Sequence, residues 1–233
     1  MAPRVFAPRL VPTLIALPLL AGLLWLGRWQ LERADETRAR EVAFAASDAP
    51  ARPLPPAERA QRYEHVRLTG LYLPEHQFLL DNMTLNGAVG YRVLTPFVTD
   101  AGTVVLVDRG WVPLGRSRAE LPDLALGGGP RVITGRLDAV PRAGIAPPPG
   151  VGSGWPRVLN YPAIETLSQA LGRPLYPNLV LLDPAMTDGY LRDWQPHGVS
   201  VERHLAYAAQ WFAFAATLFV LLLLVSIRRR ESA

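Results

Sequence analysis

Residues 10–27 read LVPTLIALPLLAGLLWLG and contain no charged side chain. As an α-helix this stretch would be about 27 Å long, close to the hydrocarbon thickness of a bilayer. A second uncharged stretch, residues 205–227, would be about 35 Å long and could cross a bilayer with some tilt. Pro12 and Pro18 are tolerated in a membrane helix, where neighbouring groups can satisfy the freed carbonyls. The sequence therefore predicts two transmembrane helices, over residues 10–27 and 204–227.

A cleaved signal peptide is the alternative for the first apolar segment. Such a peptide ends in a small-x-small cleavage site soon after its apolar region. The residues that follow here, Arg28-Trp29-Gln30-Leu31, are bulky and charged, and the nearest small cluster, residues 43–47, lies well downstream. We therefore expect a retained membrane anchor.

The net charge of +4 is concentrated at the two ends of the chain. Residues 28–203 hold 19 of the 24 Arg and 19 of the 20 acidic residues, so this region is neutral, and there is no Lys. Glu231 is the remaining acid, and the remaining basic residues are Arg4, Arg9, Arg228, Arg229 and Arg230. Basic residues favour the cytoplasmic side of a membrane. We therefore expect residues 1–9 and 228–233 in the cytoplasm, residues 28–203 outside it, and no nucleic-acid partner.

The composition excludes several kinds of chemistry. Without Cys the chain has no disulfide, CxxC redox pair or c-type haem attachment. It also lacks the HExxH, GxSxG and Walker motifs, so we expect that it is not an enzyme. Richness in Arg, Ala and Pro without Lys suggests a bacterium with GC-rich DNA. The predicted location is thus the bacterial inner membrane, with the central domain in the periplasm.

The central region shows mostly strand patterns. Asn86-Gly87 predicts a hairpin turn, and a helix is expected between Tyr161-Pro162 and Gly172. Residues 30–46 should continue the first helix into water. Strands are predicted at residues 63–73, 76–83, 89–98, 103–108, 131–138 and 178–182. The predicted fold class is α+β: two transmembrane helices flank an extracytoplasmic, mostly antiparallel sheet or partial barrel with one helix.

The segment Asp108-Arg109-Gly110-Trp111 follows a predicted buried strand. We expect a turn here, with Gly110 at positive φ and Trp111 covering the sheet edge. The alternative is a docking surface for a partner protein.

Five sequence motifs occur in order along the chain: GRWQLER (27–33), LLDN (79–82), GYRVLTPF (90–97), VLVDRGWVP (105–113) and HLAYAAQWF (204–212). Together they resemble the surfeit locus protein 1 family (Shy-type proteins) of cytochrome c oxidase biogenesis. The resemblance spans about residues 20 to 227.

This resemblance implies a biogenesis factor for haem-copper oxidase that binds haem a and assists its insertion into subunit I. The implied partners are subunit I and the lipid bilayer, with haem a synthase as a further candidate. Two alternatives remain open: a cofactor-free membrane scaffold that binds oxidase subunits, and a membrane-anchored enzyme of unknown substrate.

His204 is the sharpest candidate for a metal ligand, since a neutral imidazole can ligate haem iron. It lies at the outer entrance of the second helix, and a helix N-terminus disfavours imidazolium. Tyr207, Ala208 and Trp211 follow at helical spacing. Ala208 would leave room for a flat macrocycle, and Tyr207 and Trp211 would pack beside it. The alternative is an interfacial His with aromatic anchors.

Haem propionates need cationic partners near the outer surface. Arg28 and Arg203 each flank a predicted membrane helix there and are the candidates. His197 is a weaker candidate ligand. Gln210 should face the first helix or a ligand, and His65 and His76 are expected at the surface.

The topology has a direct test. Reporter fusions at residue 120 and at the C-terminus should report opposite compartments, because the charges place one outside and the other in the cytoplasm. Activity of a periplasm-specific reporter at both positions would disprove the two-span topology.

Overall fold

The computed structural model describes residues 4–6, 8–45, 50–116, 118, 120–141, 154–196 and 198–229. Among the sequence predictions, His197, Arg230 and Glu231 lie outside these ranges. The helices are α1 (Leu10–Ala45), α2 (Ile164–Leu171) and α3 (Val201–Ser226). The strands are β1 (Arg4–Phe6), β2 (Arg52–Pro53), β3 (His65–Tyr72), β4 (Phe78–Leu85), β5 (Ala88–Thr99), β6 (Val104–Pro113), β7 (Arg131–Asp138), β8 (Arg157–Leu159), β9 (Leu179–Leu182) and β10 (Ile227–Arg229).

The chain divides into two compact units. We call Met1–Phe44 with Pro196–Ala233 the helical unit, and Ala45–Gln195 the β unit. In the helical unit, β1 pairs antiparallel with β10, which joins the segment before α1 to the segment after α3. Both α1 and α3 are long and apolar enough to cross a membrane.

The first helix extends well beyond its apolar stretch. α1 runs unbroken through Pro18 to Ala45, so its polar continuation after Gln30 is as predicted. α3 starts at Val201, three residues before the predicted position. Ser200 caps this start, since its Oγ accepts a hydrogen bond from the backbone N–H of Arg203 at 3.4 Å. A prediction based on an uncharged apolar stretch misses this first turn of α3, because the turn contains Glu202 and Arg203.

The β unit contains a closed ring of strands. Eight strands form one sheet in the order β2-β3-β7-β9-β6-β5-β4-β8, and β3 also pairs with β5. The pairings β3–β7–β9–β6–β5–β3 therefore close a five-stranded barrel, and β4 with β8 extends from β5. Most of these pairings are antiparallel, whereas β6–β9 is parallel. The predicted α+β class is confirmed, and the ring is closed rather than partial.

Local signals in the β unit form the predicted elements. Asn86 and Gly87 connect β4 to β5 at φ 50° and 79°, as a tight hairpin turn with two positive φ angles requires. α2 ends at Leu171, and the left-handed conformation of Gly172 caps the helix. Its Leu167 is fully buried and packs in one core cluster with Phe78 and Leu179.

The predicted turn at Asp108–Trp111 is wrong. These residues lie within β6, and all four are buried, so they cannot form a docking surface either. Arg92 pairs with Trp111 and Leu94 with Asp108, which leaves one extra residue on β6. This is a β-bulge, and Gly110 adopts the φ of 114° that it requires.

The bulge accompanies a buried ion pair. Nη2 of Arg92 lies 2.5 Å from Oδ2 of Asp108, and Asp108 Oδ1 accepts a hydrogen bond from the N–H of Gly110 at 3.0 Å. The Arg92 guanidinium also stacks on the Trp194 ring at 4.8 Å. Burial raises the pKa of Asp108, and the adjacent Arg92 opposes that rise. Each of these two buried charges therefore needs the other as its partner.

Removing one partner should destabilise the β unit. Asp108→Ala leaves the buried guanidinium without this carboxylate, so the free energy of unfolding should fall by about 3–5 kcal/mol. Urea denaturation of the full chain in detergent measures this loss.

The matched control is Arg118→Ala. Arg118 bonds Asp81 with its own side chain 55% exposed, so its loss should have a much smaller effect. The double variant Arg92→Met with Asp108→Leu should recover most of the stability, because an apolar pair carries no buried charge. Equal losses for Asp108→Ala and Arg118→Ala would contradict the importance of the buried pair.

Candidate functional site

The helical unit is built on a seam between α1 and α3. Buried positions recur at intervals of three and four residues on both helices, as in coiled coils. On α1 the buried or half-buried residues of the seam are Ala16, Leu20, Leu23, Gly27, Gln30, Ala34 and Thr37. On α3 they are Val201, His204, Ala208, Trp211, Ala215, Leu218 and Leu222.

Direct contacts show that the two helices run antiparallel. The ring of Phe212 occupies the space above Gly27, where an added Cβ would lie 2.7 Å from a ring carbon. Further along, Leu19 and Leu218 line the same apolar groove. Positions later on α3 thus meet positions earlier on α1. The small residues of the seam make room for larger side chains of the opposite helix.

A side-chain hydrogen bond crosses this seam. His204 Nδ1 lies 2.7 Å from Oε1 of Gln30. With the Gln30 amide assigned in this orientation, its oxygen only accepts hydrogen bonds, so Nδ1 is assigned as the donor that carries the ring hydrogen. In a neutral imidazole the other nitrogen, Nε2, then holds a lone pair. Among the described residues we find no hydrogen-bond partner of Nε2. The arrangement can therefore donate a lone pair to a metal.

The two aromatic candidates differ in exposure: Trp211 lies on the seam of α3, and Tyr207 lies beside it. Trp211 follows His204 by seven residues and is half-buried, with its ring edge-to-face against Phe214 at 6.0 Å. Tyr207 is 46% exposed, at the rim. Ala208 is only 1% exposed, so the space beside it is already filled. A flat ligand at His204 would therefore lie on the open side with Tyr207 rather than over Ala208.

The two predicted cations are placed differently. Arg28 has a side chain 79% exposed, pairs with Glu32 at 3.0 Å, and lies about 200° around the helix from Gln30. Arg203 directly precedes His204 and is exposed. Sequence reasoning overlooked Arg33, which lies only about 60° from Gln30 around α1. Its guanidinium lies 5.5 Å from the Trp29 ring centroid and bonds Glu36.

The other sequence candidates lie away from this contact. Gln210 is exposed and off the seam, so the glutamine that faces the opposite helix is Gln30. His65 and His76, expected at the surface, are half-buried. His65 Nε2 lies 2.8 Å from Asp183, and the His76 ring packs edge-to-face on Trp155. Both histidines therefore have structural partners in the β unit.

Comparison with known proteins places the chain in a family. A model described as the SURF1 family matches residues 17–216 of the 233, a range that includes both Gln30 and His204. The chain belongs to the SURF1 family. The resemblance to surfeit locus protein 1 is thereby confirmed.

Individual relatives agree with this assignment. A SURF1-like protein of Monosiga brevicollis is 28% identical over 222 residues, which cover 88% of this chain and 83% of that protein. An uncharacterized SURF1-like protein of Mycobacterium bovis is 36% identical over 95 residues, or 37% of this chain and 35% of its own. Cytochrome oxidase assembly protein SHY1 of Saccharomyces cerevisiae is 29% identical over 118 residues, or 47% of this chain and 30% of its own.

The seam can be tested through Gly27. Gly27→Val should push Phe212 away and weaken the helix pair, because overpacking typically costs about 1–3 kcal/mol. The measurement is the yield of a short bis-maleimide cross-link between Cys residues placed at positions 30 and 204. Since the chain has no native Cys, only this pair can react.

The control for this test is Gly22→Val, because nothing lies within 4 Å of a Cβ at Gly22. Gly22→Val should leave the yield unchanged, and adding Phe212→Ala to Gly27→Val should restore it. An unaltered yield in Gly27→Val would show that Gly27 does not set the helix packing.

Proposed function

We propose that this protein is a non-enzymatic biogenesis factor for haem-copper cytochrome c oxidase. It binds haem a through His204 and assists its insertion into subunit I. Membership of the SURF1 family and the similarity to the yeast cytochrome oxidase assembly protein SHY1 support a role in oxidase assembly. The observation that carries the haem proposal is the hydrogen bond from His204 to Gln30, which leaves Nε2 as the lone-pair nitrogen.

The residues present fit a haem group. Haem iron takes a neutral imidazole as an axial ligand, and the donor set at His204 supplies one. Tyr207 offers an exposed ring beside it for packing against the macrocycle. Trp211 lies half-buried on the seam, seven residues further along α3 than His204. When bound, haem a supplies the iron centre that the oxidase uses for electron transfer and oxygen chemistry.

Cations near His204 would hold the propionates. Arg203 is adjacent in sequence, and Arg33 lies on the same side of α1 as Gln30. Arg28 would serve a propionate only by reaching around the helix. We therefore assign the propionates to Arg203 and Arg33 before Arg28.

The membrane arrangement follows from the helices and the charges. The apolar parts of α1 and α3 span the bacterial inner membrane, and both basic termini lie in the cytoplasm. The β unit then lies in the periplasm, and His204 lies near the periplasmic membrane surface. From this position the protein meets subunit I within the bilayer, and haem a synthase is the candidate donor of the haem.

The test is haem content per protein, by pyridine haemochrome assay, in cells that make haem a. His204→Ala should insert and fold but lose most bound haem, because Ala supplies no donor atom. His204→Met should keep partial binding with a shifted spectrum, since a thioether sulfur also ligates haem iron. Oxidase activity should fall in His204→Ala while the amount of this protein stays constant.

Tyr207→Leu is the control, since it removes packing but no ligand, and its loss of haem should be smaller. Full occupancy in His204→Ala would exclude His204 as an essential ligand and shift attention to His197. A wild-type protein that holds no haem would favour the cofactor-free scaffold.

A further inference from the structure

The partner of His204 is a neutral side chain on the opposite helix. Gln30 is half-buried and lies on the seam between Gly27 and Ala34, and Ala34 is 1% exposed. The amide therefore extends from a packed part of α1 towards α3, where it meets Nδ1 at 2.7 Å. We infer that Gln30 is a positioning residue that holds His204 in the Nδ1–H tautomer and presents Nε2 to iron. This inference rests on the proposed function for the identity of the metal, whereas the contact between His204 and Gln30 is present without haem.

The physical argument concerns which nitrogen carries the hydrogen. In a neutral imidazole the hydrogen bond made by one nitrogen determines the state of the other. Free neutral histidine in water favours hydrogen on Nε2, which is the form that cannot ligate through that atom. The carbonyl oxygen of Gln30 stabilises the opposite form.

The same contact orients the ring. The two ring nitrogens point in widely different directions, so fixing Nδ1 against α1 directs Nε2 away from α1. The ring is held at two points, its own Cβ on α3 and Nδ1 on Gln30. A ligand approaching from the open side then meets Nε2 in one orientation.

Ligation through this tautomer needs no proton transfer. Nε2 would hold the iron through its lone pair, while the hydrogen stays on Nδ1, bonded to Gln30. From the other tautomer, the hydrogen on Nε2 must first move to Nδ1. Loss of Gln30 should therefore weaken binding even though the ligand atom remains.

The first experiment uses the full chain without haem. Histidine labelled with ¹⁵N and ¹³C reports the tautomer by NMR in nanodiscs, and the signal lost in His204→Ala identifies His204 among the four histidines. The wild type should show hydrogen on Nδ1. Gln30→Leu should shift the population towards hydrogen on Nε2, whereas Gln30→Glu, which keeps an acceptor oxygen, should retain the Nδ1–H form.

Thr37→Val is the matched control for this experiment. Thr37 lies one heptad along the same seam and is 5% exposed, and its Oγ1 accepts a hydrogen bond from Arg40 at 2.8 Å. Its replacement removes a buried polar group of α1 without touching His204, so the His204 tautomer should not change. Hydrogen on Nε2 in the wild type, or an unchanged tautomer in Gln30→Leu, would overturn the inference.

The second experiment is a haem a titration of the same variants, followed by absorption and by the midpoint potential of the bound haem. Gln30→Leu should bind about 10- to 100-fold more weakly, the typical effect of losing a partner of a metal-ligating His. Gln30→Glu should bind and show a lower midpoint potential, because a stronger acceptor favours the ferric state. Thr37→Val should match the wild type.

The two experiments separate the two proposals. If the wild type binds no haem but shows the Gln30-dependent tautomer, the proposed function fails while the positioning role of Gln30 remains. If the wild type binds haem and Gln30→Leu binds it equally well, the positioning role fails while the proposed function remains. Circular dichroism confirms that each variant keeps its helices.

Discussion

The pairing of α1 with α3 is the constraint on which the candidate site depends. In hydrocarbon, apolar side chains gain little by leaving lipid for each other, so shape and polar contacts determine how two helices associate. Here the ring of Phe212 fills the space over Gly27, and this packing sets the register of the seam. The register in turn brings Gln30 opposite His204. A shift of one residue on either helix would rotate one partner by about 100° and separate them.

Buried polar groups in the β unit satisfy one another within the fold. Gln77 shows this most clearly: its Oε1 accepts hydrogen bonds from Thr95 and Arg109, and its amide donates to the carbonyl of Leu124 at 3.0 Å. Arg109 has only 3% of its surface exposed, so its guanidinium finds its partners inside the β unit. Their hydrogen bonds satisfy polar groups that would otherwise destabilise the barrel. The proposed haem site lies instead on the helix pair.

Sequence patterns predicted those elements whose causes are local. Asn86-Gly87 requires positive φ angles that few other residue pairs adopt, and Gly172 caps α2 for the same reason. The closure of the barrel through β3 and β5 depends on a pairing between distant strands, which no local pattern encodes. In sequence the bulge at Gly110 resembles a turn, because both structures use a glycine at positive φ after a buried strand. Only the pairing of β5 with β6 distinguishes them.

Of the two residues in the candidate contact, the sequence predicts one and not the other, for a related reason. His204 stands out because a lone imidazole at the start of an apolar helix has recognisable chemistry. Gln30 does not stand out, since its partner is 174 residues away and a glutamine after a membrane helix is ordinary. The sequence signal for Gln30 is spacing. Gly27, Gln30 and Ala34 are three and four residues apart, and His204, Ala208 and Trp211 are four and three residues apart, as expected for the facing sides of two antiparallel helices. Periodicity shows which faces meet but not in which register, and the register decides whether the imidazole is an interfacial anchor or a directed ligand. A neutral amide suits this task, because a carboxylate at the same place would add a charge close to hydrocarbon.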